Sequence, residues 1–405
     1  MKQRTIKFLQ KYWAFFAIIL IVALGTQIRL LDYQWSYLRN IDSYNFARQM
    51  EEISANGGLP DVDTLSLAPY GAARAGGSID FYVYLGAYTY NFTRLFIPNL
   101  SWFNFLLWFP AILASLSAVP IYFIGKTFFD RKAGVLAAFF LIFDPSIISR
   151  TLGGDPDSDG IVLIMPLIAM AIFLIAYKYA NSTKKFDTKY ILYTILSGIA
   201  MGLWGLTWIG YWYVLWLITG FLLVPIIAEI IKKRKLSAIG NFKHGIIVFF
   251  VTIIIFFLIT IPVIGTFVVT QTFYGPFSFG EIKSEENNQF PNVYVSVAEL
   301  QSSGDVKDVI QRAIGMNFSQ NALAIIISPF FLMIYGLIYL IYSYAKKRQH
   351  FDTLVLLLIW FVGPFIATIA AVRFSVLFSA PIAIGAGIFL AKLLRMITEG
   401  EKIED

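Results

Sequence analysis

Apolar segments near twenty residues long recur along the chain, and they restrict its fold more than any other feature. A helix of about 20 apolar residues spans the hydrocarbon core of a bilayer. The sequence therefore predicts an all-α polytopic membrane protein with about ten helices and no evident soluble domain. The segments fall near residues 12–31, 102–125, 133–149, 160–178, 190–207, 209–231, 244–270, 321–345, 352–372 and 374–396.

The positive charges indicate how these helices are oriented. Six basic clusters alternate with less basic connections, and cytoplasmic loops of membrane proteins carry the excess of lysine and arginine. We therefore expect both termini to be cytoplasmic. The net charge of +7 is interpreted as a consequence of membrane topology and not as a sign of nucleic-acid binding. The clusters are Lys2/Arg4/Lys7, Lys126/Arg131/Lys132, Lys184/Lys185/Lys189, Lys232/Lys233/Arg234/Lys235/Lys243, Lys346/Lys347/Arg348 and Lys392/Arg395.

The apolar start of the chain has the charged beginning of a secretory signal but no small-residue cleavage site, so we expect a retained first helix. The predicted organisation is one transmembrane catalytic domain, residues 1–396, followed by a charged cytoplasmic tail, residues 397–405. Two outer loops, at about 32–101 and 271–320, exceed the length of simple turns, and loops of that length usually carry function. The first contains the aromatic run IDFYVYLGAYTYNF, which is typical of a short amphipathic helix at a membrane surface.

Acidic residues on the predicted outer face are the candidates for chemistry. They are Asp42, the cluster of three aspartates in GDPDSDG at 154–160, and Glu299. Carboxylates from separate loops suit a hard divalent cation. The alternative is structural, because Asp and Ser build turns and Asp159 precedes an apolar helix that it would cap. The two histidines, His244 and His350, adjoin cytoplasmic basic clusters, and the chain has no cysteine, so neither residue type is expected to serve the outer site.

Four motifs together resemble the catalytic subunit of oligosaccharyltransferase, the family called STT3 in eukaryotes, AglB in archaea and PglB in bacteria. They are Asp42 in an early outer loop, the stretch Arg150–Asp159 ending in Asp-Ser-Asp, the stretch Ser296–Glu299 in the later outer loop, and Arg373 with the following phenylalanine. The resemblance implies a GT-C-type glycosyltransferase fold. It also implies transfer of a glycan from a dolichyl or polyprenyl phosphate or diphosphate to asparagine in Asn-x-Ser/Thr of acceptor proteins.

The resemblance assigns roles to individual residues. It implies that Asp42, Asp157, Asp159 and Glu299 hold Mn²⁺ or Mg²⁺, and that Asp42 and Glu299 also act on the acceptor amide. Asp155 lies one step outside the matched pair and is interpreted as a turn residue or a neighbour of the ligands. The position two before Asp42 is an asparagine, where many members have an acid.

Two arginines are candidates for the donor phosphate. Arg373 lies at an outer helix boundary, where a guanidinium can present paired donors to phosphate oxygens. Snorkelling to the interface is the alternative without the resemblance. Arg150 has the same motif support, but it would equally serve to orient the aspartates that follow it.

The resemblance covers the transmembrane part of the family, because the outward domain bearing WWDYG, which recognises the acceptor sequon, is not found in this sequence. A separate subunit is one expected source of that recognition. The expected partners are thus a lipid-linked oligosaccharide, an acceptor polypeptide and membrane lipid, with no nucleic acid, in a prokaryotic, archaeal-type cell membrane with the active site on the outer face. A GT-C transferase with a non-asparagine acceptor is the alternative. A transporter would place acids within the spans, whereas these fall in loops.

Overall fold

The computed structural model describes residues 2–31, 33–66, 68–73, 80–282, 304–314 and 322–400. Over these residues the chain is almost entirely helical. The first nine helices are α1 (Lys2–Leu30), α2 (Ile41–Asn56), α3 (Asp80–Arg94), α4 (Trp102–Ser115), α5 (Ala118–Phe128), α6 (Arg131–Ile142), α7 (Pro145–Arg150), α8 (Asp159–Thr183) and α9 (Thr188–Gly205). The remaining helices are α10 (Trp212–Lys233), α11 (Lys243–Ile264), α12 (Phe267–Ile282), α13 (Val306–Ile314), α14 (Ala322–Ile326), α15 (Pro329–Lys347), α16 (Phe351–Ala370) and α17 (Ser375–Glu399).

Eight stretches of helix within the described residues are long and apolar enough to cross a membrane. This confirms the predicted all-α, multi-spanning architecture. The stretches are Gln10–Leu30, Trp102–Phe128, Asp159–Thr183, Ile209–Lys233, Ile239–Ile264, Pro329–Lys347, Phe351–Ile369 and Ser375–Glu399.

The sequence predicted one membrane span at 133–149, but the structure divides this segment between two helices, α6 and α7. Asp144 caps α7 by accepting a hydrogen bond from the backbone N–H of Ser146 at 2.8 Å, and Pro145 occupies the first turn. Proline favours a helix start because its φ angle is preset and its missing N–H is not needed there. With 12 residues, α6 is about 18 Å long, shorter than a bilayer core.

The last helix, α17, packs closely against α6 and α15 because glycines face its neighbours. A Cβ atom added at Gly387 would lie 2.7 Å from the carbonyl oxygen of Ala133, and one added at Gly336 would lie 2.3 Å from that of Gly385. Both distances are below van der Waals contact, so any side chain there would force the helices apart. Small residues at helix contacts are the usual means of close packing inside membranes.

The ends of the helices that carry basic clusters meet at one end of the bundle. Lys132 pairs with Glu399 at 2.5 Å, and Arg395 pairs with Asp130. Near the far end of α8, Lys178 donates a hydrogen bond to the carbonyl oxygen of Thr127. Since α8 has 25 residues and is about 37 Å long, the acidic segment that precedes Asp159 lies at the opposite end.

Near this acidic end, α2, a short hairpin and α3 fold together. The hairpin pairs Val62 with Ala73 and Asp63 with Ala72 in antiparallel register. Arg48 of α2 donates hydrogen bonds to both carboxylate oxygens of Asp63, at 2.9 and 2.5 Å, and so attaches the hairpin to the helix. The aromatic run forms the short helix α3 from Asp80 onward, as the sequence predicted.

Candidate active site

Helix α2 begins where its N-cap places Asp42 in the first turn. The side chain of Asn40 accepts a hydrogen bond from the backbone N–H of Asp42 at 3.3 Å. Asparagine is among the preferred N-cap residues because its side-chain oxygen satisfies an otherwise unpaired backbone donor. Asp42 is exposed at this start, whereas the next residue, Ser43, is buried. Asn40, which occupies the position where an acid was expected, therefore has a structural role in this chain.

Three hydrogen bonds join the beginning of α2 to the aspartate segment. The backbone N–H of Arg39 donates to the carbonyl oxygen of Gly154 at 2.9 Å, and its Nε donates to the carbonyl oxygen of Gly153 at 3.1 Å. The hydroxyl of Ser43 donates to Asp155 Oδ1 at 2.5 Å. The segments that carry Asp42 and the three aspartates are thus in direct contact, although more than 100 residues separate them.

The aspartate segment is also attached to the end of α1. The backbone N–H of Gly153 donates to the carbonyl oxygen of Arg29 at 2.9 Å. The fully buried Arg29 side chain donates to Thr151 Oγ1 at 2.8 Å and to the carbonyl oxygen of Ile142 at 3.2 Å. A buried guanidinium needs such acceptors because leaving it without them is costly. Arg29 therefore fixes the chain on both sides of α7.

Within the segment, Asp157 and Asp159 have different surroundings. Asp157 Oδ1 accepts hydrogen bonds from the backbone N–H of Ser158 at 2.5 Å and from its hydroxyl at 3.2 Å. Asp159 is the first residue of α8, and its Oδ2 lies 3.5 Å from Nη1 of Arg150. This ion pair favours the interpretation in which Arg150 orients the aspartates over the one in which it binds phosphate.

The carboxylates influence one another electrostatically. Burial raises the pKa of Asp155 above its usual value, and the hydrogen bond from Ser43 lowers it. Asp157 and Asp42 raise this pKa further, while Arg39 lowers it. Like charges shift one another's pKa only when they are close. Asp42, Asp155 and Asp157 therefore belong to one electrostatic site.

The sequence matches the family described as "Oligosaccharyl transferase STT3, N-terminal" over residues 12–403. The chain belongs to this oligosaccharyl transferase family. A relative from Methanococcus voltae, a dolichyl-phosphooligosaccharide-protein glycotransferase, is 25% identical over 391 residues, which is 89% of this chain and 42% of the relative. The chain thus spans less than half the length of this curated relative.

Solved structures show that the oligosaccharyl transferase fold is shared. AglB of Archaeoglobus fulgidus, in complex with an inhibitory peptide and a dolichol-phosphate, aligns over 97% of this chain and 52% of AglB with a TM-score of 0.68 and 19% identity. The complex of the Archaeoglobus fulgidus oligosaccharyltransferase with Zn and sulfate aligns over 94% of this chain and 49% of that protein, with a TM-score of 0.65 and 21% identity. The expected GT-C-type membrane fold is confirmed.

The structure describes no side-chain contact for two predicted site residues of this oligosaccharyl transferase chain, Glu299 and Arg373. Glu299 lies outside the described residues. Arg373 lies in the 3-10 turn Val372–Phe374 between α16 and α17. Shortly after this turn, the hydroxyl of Ser379 lies 3.4 Å from that of Ser146 in α7, so the turn is at the same end of the bundle as the aspartate segment.

The side chains at the site offer the kind of metal ligand that a hard divalent cation requires. Asp42, Asp157 and Asp159 offer carboxylate oxygens, which Mg²⁺ and Mn²⁺ prefer. The mutual effect of the acids on the pKa of Asp155 also indicates negative charge that a cation would offset. Among the described residues, which exclude Glu299, no three His, Cys, Asp or Glu side chains are already arranged to hold a metal.

Sequence reasoning missed several residues that build this site. Ser43, Arg39 and Arg29 make the hydrogen bonds that join the segments. Only Arg29 gave a signal in the sequence, because it is a charged residue at the end of an apolar segment and such residues require partners. Both histidines lie away from the acids, as predicted: His350 packs on Phe129 with ring centroids 5.2 Å apart, and the ring of His244 lies 5.4 Å from that of Phe186.

Proposed function

We propose that this chain transfers an oligosaccharide from a dolichyl or polyprenyl phosphate or diphosphate to the side-chain amide of asparagine in Asn-x-Ser/Thr. The observation that carries the proposal is the contact between the Asp42 segment and the Asp155–Asp159 segment through Ser43 and Asp155. The dolichyl-phosphooligosaccharide-protein glycotransferase of Methanococcus voltae supports the reaction type. AglB bound to a peptide and a dolichol-phosphate supports both substrate classes.

The acceptor amide requires activation because its nitrogen lone pair is delocalised into the carbonyl. The same resonance gives peptide bonds a rotational barrier of roughly 18–20 kcal/mol. We propose that Asp42 and Glu299 accept hydrogen bonds from the two amide protons and so favour a less conjugated amide. Its nitrogen then attacks the anomeric carbon of the donor while the bond from that carbon to the phosphate oxygen breaks. The phosphate leaves with the bonding electrons, and one amide proton passes to the carboxylate of Asp42 or Glu299.

The proposed cofactor is Mn²⁺ or Mg²⁺, held by Asp42, Asp157, Asp159 and Glu299. When bound, a divalent cation would offset the negative charge that develops on the departing phosphate. The hydrogen bonds of Ser43 and Arg39 hold the first two acidic segments together, and Arg150 orients Asp159. These contacts join the Asp42 segment to the aspartate segment before substrates bind.

The proposed orientation places the acids outside and both termini in the cytoplasm. The basic segments around Asp130 and Arg395 meet at one end of the bundle, and the aspartate segment begins α8 at the other. This separation supports the charge rule for membrane topology. Arg373 is proposed to bind the donor phosphate at the same outer end, because the helix that follows its turn contacts α7 through Ser379 and Ser146.

The test is transfer of glycan from a lipid-linked donor to a peptide containing Asn-x-Thr, with the purified chain and Mn²⁺. A peptide with glutamine in place of asparagine is the matched control. Transfer to the first peptide alone supports the proposal, and transfer that requires added membrane extract supports a separate subunit for sequon recognition. No transfer under either condition, together with transfer to a hydroxyl or lipid acceptor, would establish the alternative GT-C reaction.

A further inference from the structure

Tyr82 in α3 has a buried hydroxyl group without a hydrogen-bond partner among the residues that the structure describes. The residue is fully buried, and its ring packs edge-on against Phe46 at 5.5 Å and stacks on Phe109 at 6.1 Å. Buried hydroxyls in folded proteins almost always have a partner because water cannot reach them. The rings on both sides fix Tyr82 in place, so its hydroxyl is held where a partner is required.

The ring contacts place Tyr82 beside the candidate active site. Phe46 lies one helical turn after Asp42 on α2. Phe109 precedes Pro110, whose carbonyl oxygen would lie 3.5 Å from a Cβ atom added at Gly160 in the first turn of α8. Tyr82 therefore lies between α2 and α4, and α4 in turn contacts the first turn of α8, which follows the aspartate segment.

The carboxylates themselves act on this hydroxyl. Burial raises the pKa of Tyr82 well above its usual value, and Asp157, Asp155 and Asp159 raise it further, Asp157 most of the three. Such electrostatic effects require the hydroxyl and the carboxylates to be near one another. A hydroxyl that can donate a hydrogen bond therefore lies buried and unpaired close to carboxylates that can accept one.

We propose that Tyr82 is a positioning residue for Asp157: its hydroxyl donates a hydrogen bond to this carboxylate when the site binds a divalent cation. The inference rests on the proposed function for the identity of the ligand. An ionised carboxylate accepts about four hydrogen bonds or ligand contacts, so Asp157 can accept from Ser158 and Tyr82 and still bind a cation. The bond fixes the direction of the remaining lone pairs, as residues behind metal ligands commonly do.

The test is Mn²⁺ binding to the purified full chain, measured by electron paramagnetic resonance with no glycan substrate present. Tyr82→Phe keeps the ring between Phe46 and Phe109 and removes only the hydroxyl. We expect its Mn²⁺ affinity to fall about tenfold, the effect typical of losing a partner of a metal ligand. The matched control is Tyr90→Phe in the same helix, which removes a buried hydroxyl that donates to the carbonyl oxygen of Leu100 at 3.3 Å.

The control should bind Mn²⁺ as the unmodified chain does, and both variants should unfold at similar temperatures. Equal Mn²⁺ affinity for Tyr82→Phe and the unmodified chain would overturn the inference, as would the absence of Mn²⁺ binding to the unmodified chain. Glycan transfer separates this inference from the proposed function. Weaker Mn²⁺ binding by Tyr82→Phe with no transfer by any form would contradict only the function, whereas transfer with unchanged Mn²⁺ affinity would contradict only the role of Tyr82.

Discussion

The hydroxyl of Ser43 donates a hydrogen bond to the carboxylate of Asp155, 112 residues later in the chain. Ser43 directly follows Asp42, and Asp155 lies two residues before Asp157. Together with the two hydrogen bonds from Arg39, this bond therefore joins the segments that carry Asp42 and Asp157, two proposed cation ligands.

We expect Ser43→Ala to weaken this junction by about 1.5–3 kcal/mol, the range for a hydrogen bond to a charged group. Thermal unfolding of the purified chain should shift downward, and the Mn²⁺ concentration for half-maximal transfer should rise. Ser54→Ala is the matched control, because it removes a hydroxyl of the same helix that donates to Asn91 Oδ1 at 2.7 Å. If the two variants have equal Mn²⁺ requirements, the junction does not position the ligands.

Asp157→Ala and Asp159→Ala should each abolish transfer or raise the required Mn²⁺ concentration steeply, because each removes a proposed ligand. Asp155→Asn keeps an oxygen acceptor for Ser43 and should have a smaller effect. Transfer assays across a Mn²⁺ series measure the difference, with a chelator establishing the metal-free rate. Full activity of Asp157→Ala in the chelator would refute a metal role for that residue.

Arg373→Lys keeps the positive charge but loses the planar paired donors, so we expect weaker donor binding with acceptor binding little changed. Arg373→Ala should cost about 1.5–3 kcal/mol of donor binding if a charged hydrogen bond is lost. Kinetics with varied lipid-linked donor measure this effect. Unchanged KM and kcat in both variants would mean that Arg373 only anchors the interface and that the phosphate binds elsewhere.

The Arg48–Asp63 ion pair should make the stability of the outer hairpin depend on pH. Hydrogen bonds from Arg48 hold the pKa of Asp63 well below its usual range. A lowered carboxyl pKa contributes stability that is fully present above the ordinary value of about 4 and is lost as the pH falls toward the folded-state value. The protection of residues 62–66 and 68–73 against hydrogen exchange, relative to the intrinsic exchange rate at each pH, should therefore fall in acid, and Asp63→Asn should remove that dependence. An unchanged pH profile in Asp63→Asn would refute the assignment.

Eight of the ten predicted spans overlap helices that are long and apolar enough to cross a membrane, because hydropathy and the rise per residue determine which segments span a bilayer. The predicted segments 133–149 and 190–207 are not among these eight. The division of 133–149 was also encoded, since Asp144-Pro145 is an N-cap followed by a first-turn proline, but the apolar residues around it concealed this signal. An Asp-Pro pair within an apolar segment is a better guide to a break between two helices than the mean hydropathy of that segment.

The site was predictable only in part. Motif order identified Asp42 and the Asp-Ser-Asp stretch, and the structure places their segments in contact. Tyr82 was hidden in an aromatic run, and Ser43 is an ordinary polar residue of an amphipathic helix. Ser43 acts through a hydrogen bond to a residue 112 positions later, and the proposed role of Tyr82 depends on a carboxylate that is also far along the chain. Local sequence patterns do not report such pairs.

The attachment of the aspartate segment to α1 and α2 has a consequence for biosynthesis. Every described residue in the junction, from Arg29 to Asp159, precedes the middle of the chain. Domains fold progressively as a polypeptide emerges from the ribosome. Once α8 has entered the membrane, the hydrogen bonds of this junction can form while residues from 184 onward are still being translated, and the later helices, including α17, then pack against it.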